Sequence, residues 1–542
     1  MTNKQRSLIG GVSILAAAGI ICKVVGVLYR IPLANTIGGD GLGLYSKVFQ
    51  SYNLLLTISS AGIPVAISRM VSHYLAKDDP GNAKRVFKLA LWALTALGLI
   101  ATFILVLGSG ALASMAGAPE ISIGYMAIAP SLLLVCVMSA FRGYMQGHRK
   151  MMPTAISQLI EQVGKLAVAL PLATIGFDQG GAAWGAAGML LGTSIAEAVA
   201  LAFMMFSHAR SRHEFDLVEQ AEDAVPLGRR SIARDLLAIS VPITIGSCIV
   251  PLAGWIDSFM VTNLMETHGI AGFSAALTAE QLHQEALIRY GLYSSVVLSL
   301  INVPTAIAMA VSANLVPAIS AGCARGDHER VAREALTGLR MATVIGLPCS
   351  AGMSILARPI LYMLFLGKYT PEQLDIAAQV LEMSALTIVL FTMVQATSGI
   401  LQGCGKQRIP MYTLAAGVAC KILLNLLLIS DPDINIHGAP IASLVCYTVS
   451  MVPNLYFVKK YTGCKMDIPA ILLRPLAATA FMSLICWGLW RFVFTEAALN
   501  SRLMTIITVA VCLITGVIVY AAAALLAGAI RKDELPARLR RR

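Results

Sequence analysis

Charge is scarce in this chain. Only 13% of its 542 residues are Asp, Glu, Lys or Arg, about half the roughly 25% of an ordinary soluble domain. That shortage excludes a water-soluble globular protein. The chain has no P-loop, kinase signature or nucleophile elbow, so ATP-driven work within the chain is not expected. The run Gly39-Asp40-Gly41-Leu42-Gly43 is glycine-rich but follows no strand pattern, which removes a nucleotide-loop reading. No Cys-x-x-Cys pair occurs, and Cys22, Cys136, Cys248, Cys349, Cys420, Cys446, Cys486 and Cys512 are scattered through apolar runs. They read as small packing residues rather than a disulfide framework. The histidines lie in loops or near span ends without metal-ligand spacing, so neither a metal nor another cofactor is expected.

What the chain has in abundance is apolar sequence, 57% of residues, arranged in successive long runs. Runs of about 20 apolar residues at about 1.5 Å rise match the hydrocarbon thickness of a bilayer. The expected fold class is therefore an all-α polytopic membrane protein of about 14 transmembrane helices. The first, over 8–29, follows Lys4 and Arg6 but is too long for a signal-peptide core, and it reads as a span. The net charge of +12 collects in alternate loops: Arg69 to Lys88, Arg142 to Lys150, Arg210 to Arg234, Arg325 to Arg340 and Lys459 to Lys465. The positive-inside rule puts those loops, and both termini, in the cytoplasm. The basic balance is thus a matter of topology, with the lipid bilayer as partner and no nucleic acid.

Two segments 256 residues apart carry one pattern: Gly143, Gln146, Gly147, Lys150 and Lys165 recur as Gly399, Gln402, Gly403, Lys406 and Lys421. A second echo sets Arg85, Val86, Ala90 and Leu91 against Arg330, Val331, Ala335 and Leu336, each after a turn signal containing Asp79 or Asp327 that suits a helix N-cap. Six spans per copy return the chain to its starting side, so the repeats are parallel. The expected organisation is a six-helix lobe at 1–206, a polar cytoplasmic linker at 207–235, a second six-helix lobe at 236–458, and two more helices with a basic tail at 459–542. Gly181, Gly185, Gly188 and Gly192 give small-xxx-small spacings that imply close helix packing.

Charged residues inside spans are the sharpest functional signal. A lysine at mid-span costs roughly 2.5–3.5 kcal/mol on insertion scales, so it calls for a compensating role. Lys165 and Lys421 occupy matching places deep in apolar sequence and suggest paired cationic sites facing a shared interior. Glu161 precedes Lys165 by four residues, a spacing at which the two share a helix face and can neutralise one another. Lys421 has no acid at that spacing, only Asn425, and is the stronger candidate for binding an external anion. Lys23 sits in the first span with Arg30 at its end, Lys47 stands at the start of the second, and Arg289 at the start of the eighth. Asp257, in Trp255-Ile256-Asp257-Ser258, is a candidate to hold a coupling cation with Asn425, with interhelical hydrogen bonding as the structural alternative.

The order Lys23-Val24-Val25-Gly26, Arg30-Ile31-Pro32, Gly38-Gly39-Asp40-Gly41-Leu42-Gly43-Leu44-Tyr45 and Gly62-Ile63-Pro64-Val65-Ala66-Ile67-Ser68 resembles the start of the stage V sporulation protein B group of the MOP exporter superfamily. Leu315-Val316-Pro317-Ala318-Ile319-Ser320 and Gly399-Ile400-Leu401-Gln402-Gly403 fit the same group. The resemblance implies two six-helix lobes forming a V around a cavity, alternating access, and a lipid-linked, pyrophosphate-bearing saccharide as cargo, lipid II first. It gives the cationic cavity residues as Lys23 and Arg30, with Lys47 nearby. The eighth-span arginine of lipid II flippases falls here near Leu298 or Ser299, and their acidic residue early in the second span falls at Tyr45. Coupling to Na+, H+ or the membrane potential, and association with cell-wall synthesis proteins, belong to the same expectation. The alternatives are a cation-coupled exporter of drugs or metabolites with the same two lobes, and a membrane assembly factor without transport. Exporters of cationic cargo call for unpaired carboxylates in the cavity, whereas the unpaired charges here are mostly lysines.

Overall fold

A computed structural model describes residues 29–216, 227–270, 278–365, 369–494 and 501–530, with 18, 19, 21, 22, 25, 26 and 499. Among the described residues the elements are all helices. In chain order the principal ones are α1 (Arg30–Ser60), α2 (Ile63–Leu75), α3 (Pro80–Leu107), α4 (Ser122–Gly147), α5 (Met152–Gly164), α6 (Leu170–Asp216), α7 (Arg229–His268), α8 (Ala279–Gly291), α9 (Leu298–Ala324), α10 (His328–Ile355), α11 (Ala357–Phe365), α12 (Pro371–Gly403), α13 (Arg408–Ile429), α14 (Gly438–Thr462), α15 (Arg474–Gly488) and α16 (Arg502–Leu526).

Among the described residues, 11 helices are long and apolar enough to cross a membrane, or 12 with α10 and α11 taken as one span bent by 64°. One of these runs, Met152–Ser211, is 60 residues long and would extend about 90 Å if straight. It doubles back at Gly180 and Gly181. Gly181 takes φ 72°, a left-handed conformation that costs a residue with a Cβ. A Cβ on Gly188 would stand 2.2 Å from the Leu172 carbonyl oxygen, and one on Gly192 2.2 Å from Ala169 Cα. The glycine spacings seen in the sequence therefore sit in this hairpin, where the two arms touch backbone to backbone. The figure of fourteen spans counts this run as two and includes 8–29, which lies almost wholly outside the described residues.

Contacts divide the chain into two compact units, Met1–Asn263 and Leu264–Arg542. Of the expected linker at 207–235, residues 217–226 lie outside the described residues. In the first unit Ile67, Val71, Val86, Ala90, Leu94 and Met138 form a core from α2, α3 and α4, to which α7 adds Ile232 and Leu236. In the second, Leu315, Ile319, Val331, Ala335, Leu339 and Ile400 do the same from α9, α10 and α12. The apolar members of the second echo, Val86 with Ala90 and Val331 with Ala335, are thus core residues of their units. Asp79 accepts from Asn82 N at 3.0 Å and Asp327 from Arg330 N at 3.0 Å, so both helices start at the N-caps read from sequence.

The glycines of the first echo are crossing points. A Cβ on Gly143 would meet the Pro64 carbonyl oxygen at 2.7 Å, and one on Gly147 the Val71 Cβ at 2.7 Å. In the second unit a Cβ on Gly399 would meet Ser312 Oγ at 2.5 Å, and one on Gly403 the Ile319 Cβ at 2.7 Å. The turns that follow are the same turn twice. Lys150 N donates to Met145 O at 2.9 Å and Lys406 N to Leu401 O at 2.8 Å. The left-handed position is Arg149 (φ 62°) in one copy and Gly405 (φ 73°) in the other. The two final helices pack on α10 through Ala478, Met482, Tyr520 and Ala524 against Val344, and the Tyr520 hydroxyl donates to Val344 O at 2.7 Å.

Candidate functional site

A set of charged and polar groups within apolar helices lies in the first unit. Residue α4 Arg142 and residues Ser157 and Glu161 of α5 come together first. The Arg142 guanidinium donates to Glu161 Oε1 at 2.7 Å and, through Nε and Nη2, to Ser157 Oγ at 2.9 and 2.8 Å. The Ser157 hydroxyl in turn donates to Thr154 O at 2.8 Å. One planar donor fork thus fixes two side chains one helical turn apart, which suits Arg better than Lys.

Immediately after α5 the backbone widens into a π-helical turn, Lys165–Ala169. Such turns displace the residues that follow and recur at functional sites. Gly164 permits it beside α6, since a Cβ there would stand 2.6 Å from Ala196 Cβ. Lys165 opens this turn, half-buried, and makes no ion pair or hydrogen bond among the described residues. The Glu161–Lys165 pair that the spacing allowed does not form. The carboxylate bonds to Arg142, two helices of the sequence having been joined by a contact that the local i,i+4 spacing could not reveal.

Glu197 projects from the second arm of the α6 hairpin and is 4% exposed. Its Oε1 accepts from the Tyr52 hydroxyl of α1 at 3.1 Å, and Tyr52 also bonds Ser131 Oγ at 2.8 Å. Its Oε2 is buried without a partner among the described residues. The charges of Lys165, Glu161 and Arg142 all act on this carboxylate. A lone oxygen in a dry interior is costly unless a proton, cation or donor reaches it. A Cβ on Gly26 would stand 3.6 Å from Gln162 Oε1.

The other expected residues are dispersed. Lys23 lies outside the described residues, and Arg30 begins α1 with its side chain not described. Lys47 is 1% exposed in α1 and donates to the Ala116 carbonyl, beyond the short helix Ser109–Met115. Asp257, in α7, is buried beside Trp255, whose indole donates to Ser51 Oγ at 3.0 Å. Asp257 and the fully buried Asn425 belong to different units. Arg289 is buried in the second unit, donates to Glu285 Oε1 at 2.8 Å, and lines a cavity of about 10 Å³ with Tyr293, Gln373 and Ile436, space for one water.

Lys421 is half-buried in α13, which continues as regular α-helix past it. The places matching Arg142 and Glu161 hold Ser398 and Gly417. Gly417 packs against the Cys446 carbonyl oxygen, 2.4 Å from where a Cβ would stand. The paired lysines therefore sit in unlike surroundings: Glu161 and Glu197 act around Lys165, while in the second copy the place of Glu161 is taken by a glycine. Sequence reasoning passed over Arg142, grouped with its basic loop, and over Glu197 and Tyr52. Glu197 carried a readable signal, being a carboxylate within an apolar span.

Among the described residues no group of three or more His, Cys, Asp or Glu is placed to hold a metal ion.

Comparison with known proteins follows the same lines. A family model described as polysaccharide biosynthesis protein matches residues 8–322, and a second, MatE, matches 293–427. The chain is 24% identical over 532 residues to the lipid II flippase MurJ of Bacillus subtilis (strain 168), covering 93% of each. It is 25% identical over 445 residues to stage V sporulation protein B of the same organism, covering 81% of each. Among solved structures, lipid II flippase MurJ in an inward closed conformation is similar with TM-score 0.66 and 13% identity, over 94% of this chain and 97% of that one. An inward-facing multidrug resistance MATE family transporter of the MOP superfamily gives TM-score 0.67 and 14% identity, over 81% and 94%. These two likenesses speak for the fold.

Proposed function

Because the chain belongs to the polysaccharide biosynthesis protein family, within the MOP superfamily of multi-pass membrane transporters and flippases, we propose that it flips an undecaprenyl-pyrophosphate-linked saccharide, lipid II first. The observation that carries this reading is Lys165, a half-buried cation opening a π-turn inside a membrane helix, with no ion pair among the described residues. A pyrophosphate head group cannot enter hydrocarbon unaided, and charge-assisted contacts to Lys and Arg lower that barrier. Lys165 and Lys421 are the anion-binding residues of this proposal, with Lys23, Arg30, Lys47 and Arg289 as further members of the cationic set. On the positive-inside rule the basic loops and both termini face the cytoplasm, so the cargo is loaded there and released outside. Cell-wall synthesis proteins are the natural partners of such a step.

The coupling force is Na+, H+ or the membrane potential. Asp257 and Asn425 remain candidates for it, and Glu197, with its unpartnered buried oxygen, joins them.

Glu197 also favours the second reading, a cation-coupled exporter, because cationic cargo requires a carboxylate in the interior. Purified protein in vesicles separates the two. Flipping of fluorescent lipid II that is lost in Lys165→Ala and Lys421→Ala, with the variants still inserted, supports the flippase. Efflux of a cationic dye that is lost in Glu197→Gln, with no lipid II movement, establishes the exporter instead.

A further inference from the structure

Two cysteines that lie 81 positions apart in sequence meet at one end of the second unit. Cys323, in the last turn of α9, and Cys404, the C-cap of α12, have their sulfurs 3.9 Å apart. Cys323 is exposed and Cys404 half-buried, and both are free thiols. They stand just beyond the crossing made by Gly399 and Gly403, where Gly403 lies on Ile319, one turn before Cys323.

Packing does not require thiols here. The first unit makes the same crossing, with Pro64 and Val71 of α2 in the places of Ser312 and Ile319. At the positions matching Cys323 and Cys404 it carries Leu75 and His148. An exposed cysteine such as Cys323 also gains little as an apolar packing residue. The pair is a feature of one copy only, set between helix ends that the fold already holds together.

We propose that Cys323 and Cys404 form a reversible disulfide, a redox-sensitive clip that pins the end of α9 to the end of α12 and slows transport. The oxidant class is a low-molecular-weight disulfide, RSSR. The exposed Cys323 thiolate attacks one of its sulfurs, breaking the S–S bond, expelling RS⁻ and forming a mixed disulfide. Cys404 then gives up its proton and attacks Cys323 Sγ, expelling the second RS⁻. Two protein thiols are oxidised, one RSSR is reduced, and two RSH leave once the thiolates take up the released protons.

The order follows from the surroundings. Burial, and then the neighbouring Cys323, push the Cys404 thiol up to about 12, while Lys406 pulls the other way. Cys404 is therefore the poorer first nucleophile and the natural resolving thiol. A disulfide requires sulfurs about 2.05 Å apart, so the pair closes by side-chain rotation and a small approach of helices already in contact.

The mechanical consequence lies in α9, which carries Pro304 and Pro317 inside the helix. Proline removes a backbone hydrogen bond and lets a helix bend there. Fixing the segment after Pro317 to α12 removes that freedom. On the orientation proposed above the pair faces the cytoplasm, where thiols are kept reduced and disulfides serve as transient sensors.

Purified full-length protein is treated with oxidised glutathione and its peptides are mapped without reduction. The expected result is a cross-link joining the Cys323 and Cys404 peptides, reversed by dithiothreitol. Cys404→Ser should instead retain glutathione on Cys323, and Cys323→Ser should leave Cys404 unmodified. In vesicles carrying the cargo that supports transport, oxidation should remove most activity from the parent protein and none from Cys323→Ser. Glutathione on Cys323 with no cross-link overturns the proposal. A cross-link with unchanged transport overturns the clip as a regulator. The peptide map needs no transported cargo, so a wrong cargo assignment leaves this test standing.

Discussion

At the residue scale the first unit holds Glu161 against Arg142 and Glu197 against Tyr52 inside apolar helices, and each contact has a measurable consequence. Arg142 and Glu161 are 14% and 15% exposed, so removing one partner leaves the other charge poorly solvated. Arg142→Ala should cost about 3 kcal/mol of stability, and the double variant Arg142→Ala with Glu161→Gln should recover much of it. Thermal unfolding of detergent-solubilised protein reads both, and equal, additive losses would remove the pair as the reason. Glu197→Gln keeps an oxygen to accept from Tyr52 and removes the titratable proton. If Glu197 couples transport to protons, this variant should insert normally and flip cargo at a rate no longer sensitive to pH. A pH profile unchanged from the parent would return proton coupling to Asp257.

Elements owe their shapes to a few backbone positions. The α6 hairpin places Gly188 so close to the Leu172 carbonyl that no side chain fits between them. Gly188→Leu must therefore part the two arms, at a cost of about 3 kcal/mol or more, and should lower expression of folded protein, with fluorescence-detected size exclusion as the measure. The repeated turn after α4 and α12 offers the opposite test. Arg149 is exposed and left-handed where its counterpart is Gly405. Arg149→Gly relieves that strain at the entropic cost of a glycine in the unfolded chain, so stability should rise by up to about 1 kcal/mol. A clear loss would mean that the arginine side chain holds the turn. These turns were partly legible beforehand, since the Gly-x-x-Gln-Gly pattern was visible. Its cause, a helix crossing each time, was not, because the partner residues Pro64 and Ser312 lie far away in sequence.

For the whole molecule, the internal duplication organises two units with corresponding cores, while the chemistry is not duplicated. Glu161, held by Arg142, and Glu197 make the first unit acid-rich around Lys165, whereas Ser398 and Gly417 stand at the places of Arg142 and Glu161 in the second copy. The expected division of labour is that cells depleted of this protein accumulate a lipid-linked saccharide on the inner leaflet. Leaflet-resolved lipid analysis identifies it, and unchanged lipid-linked pools would point to the exporter reading.

The sequence by itself determined the membrane setting, the helical class, the repeats and the two aspartate N-caps. Each of these rests on composition or on spacings within a turn or a span, which act locally. Only the tertiary structure decided which charge meets which. Glu161 turned from Lys165 to Arg142, Tyr52 met Glu197, and Cys323 met Cys404, because those contacts depend on which faces of separate helices pack together, and a one-dimensional pattern does not contain that.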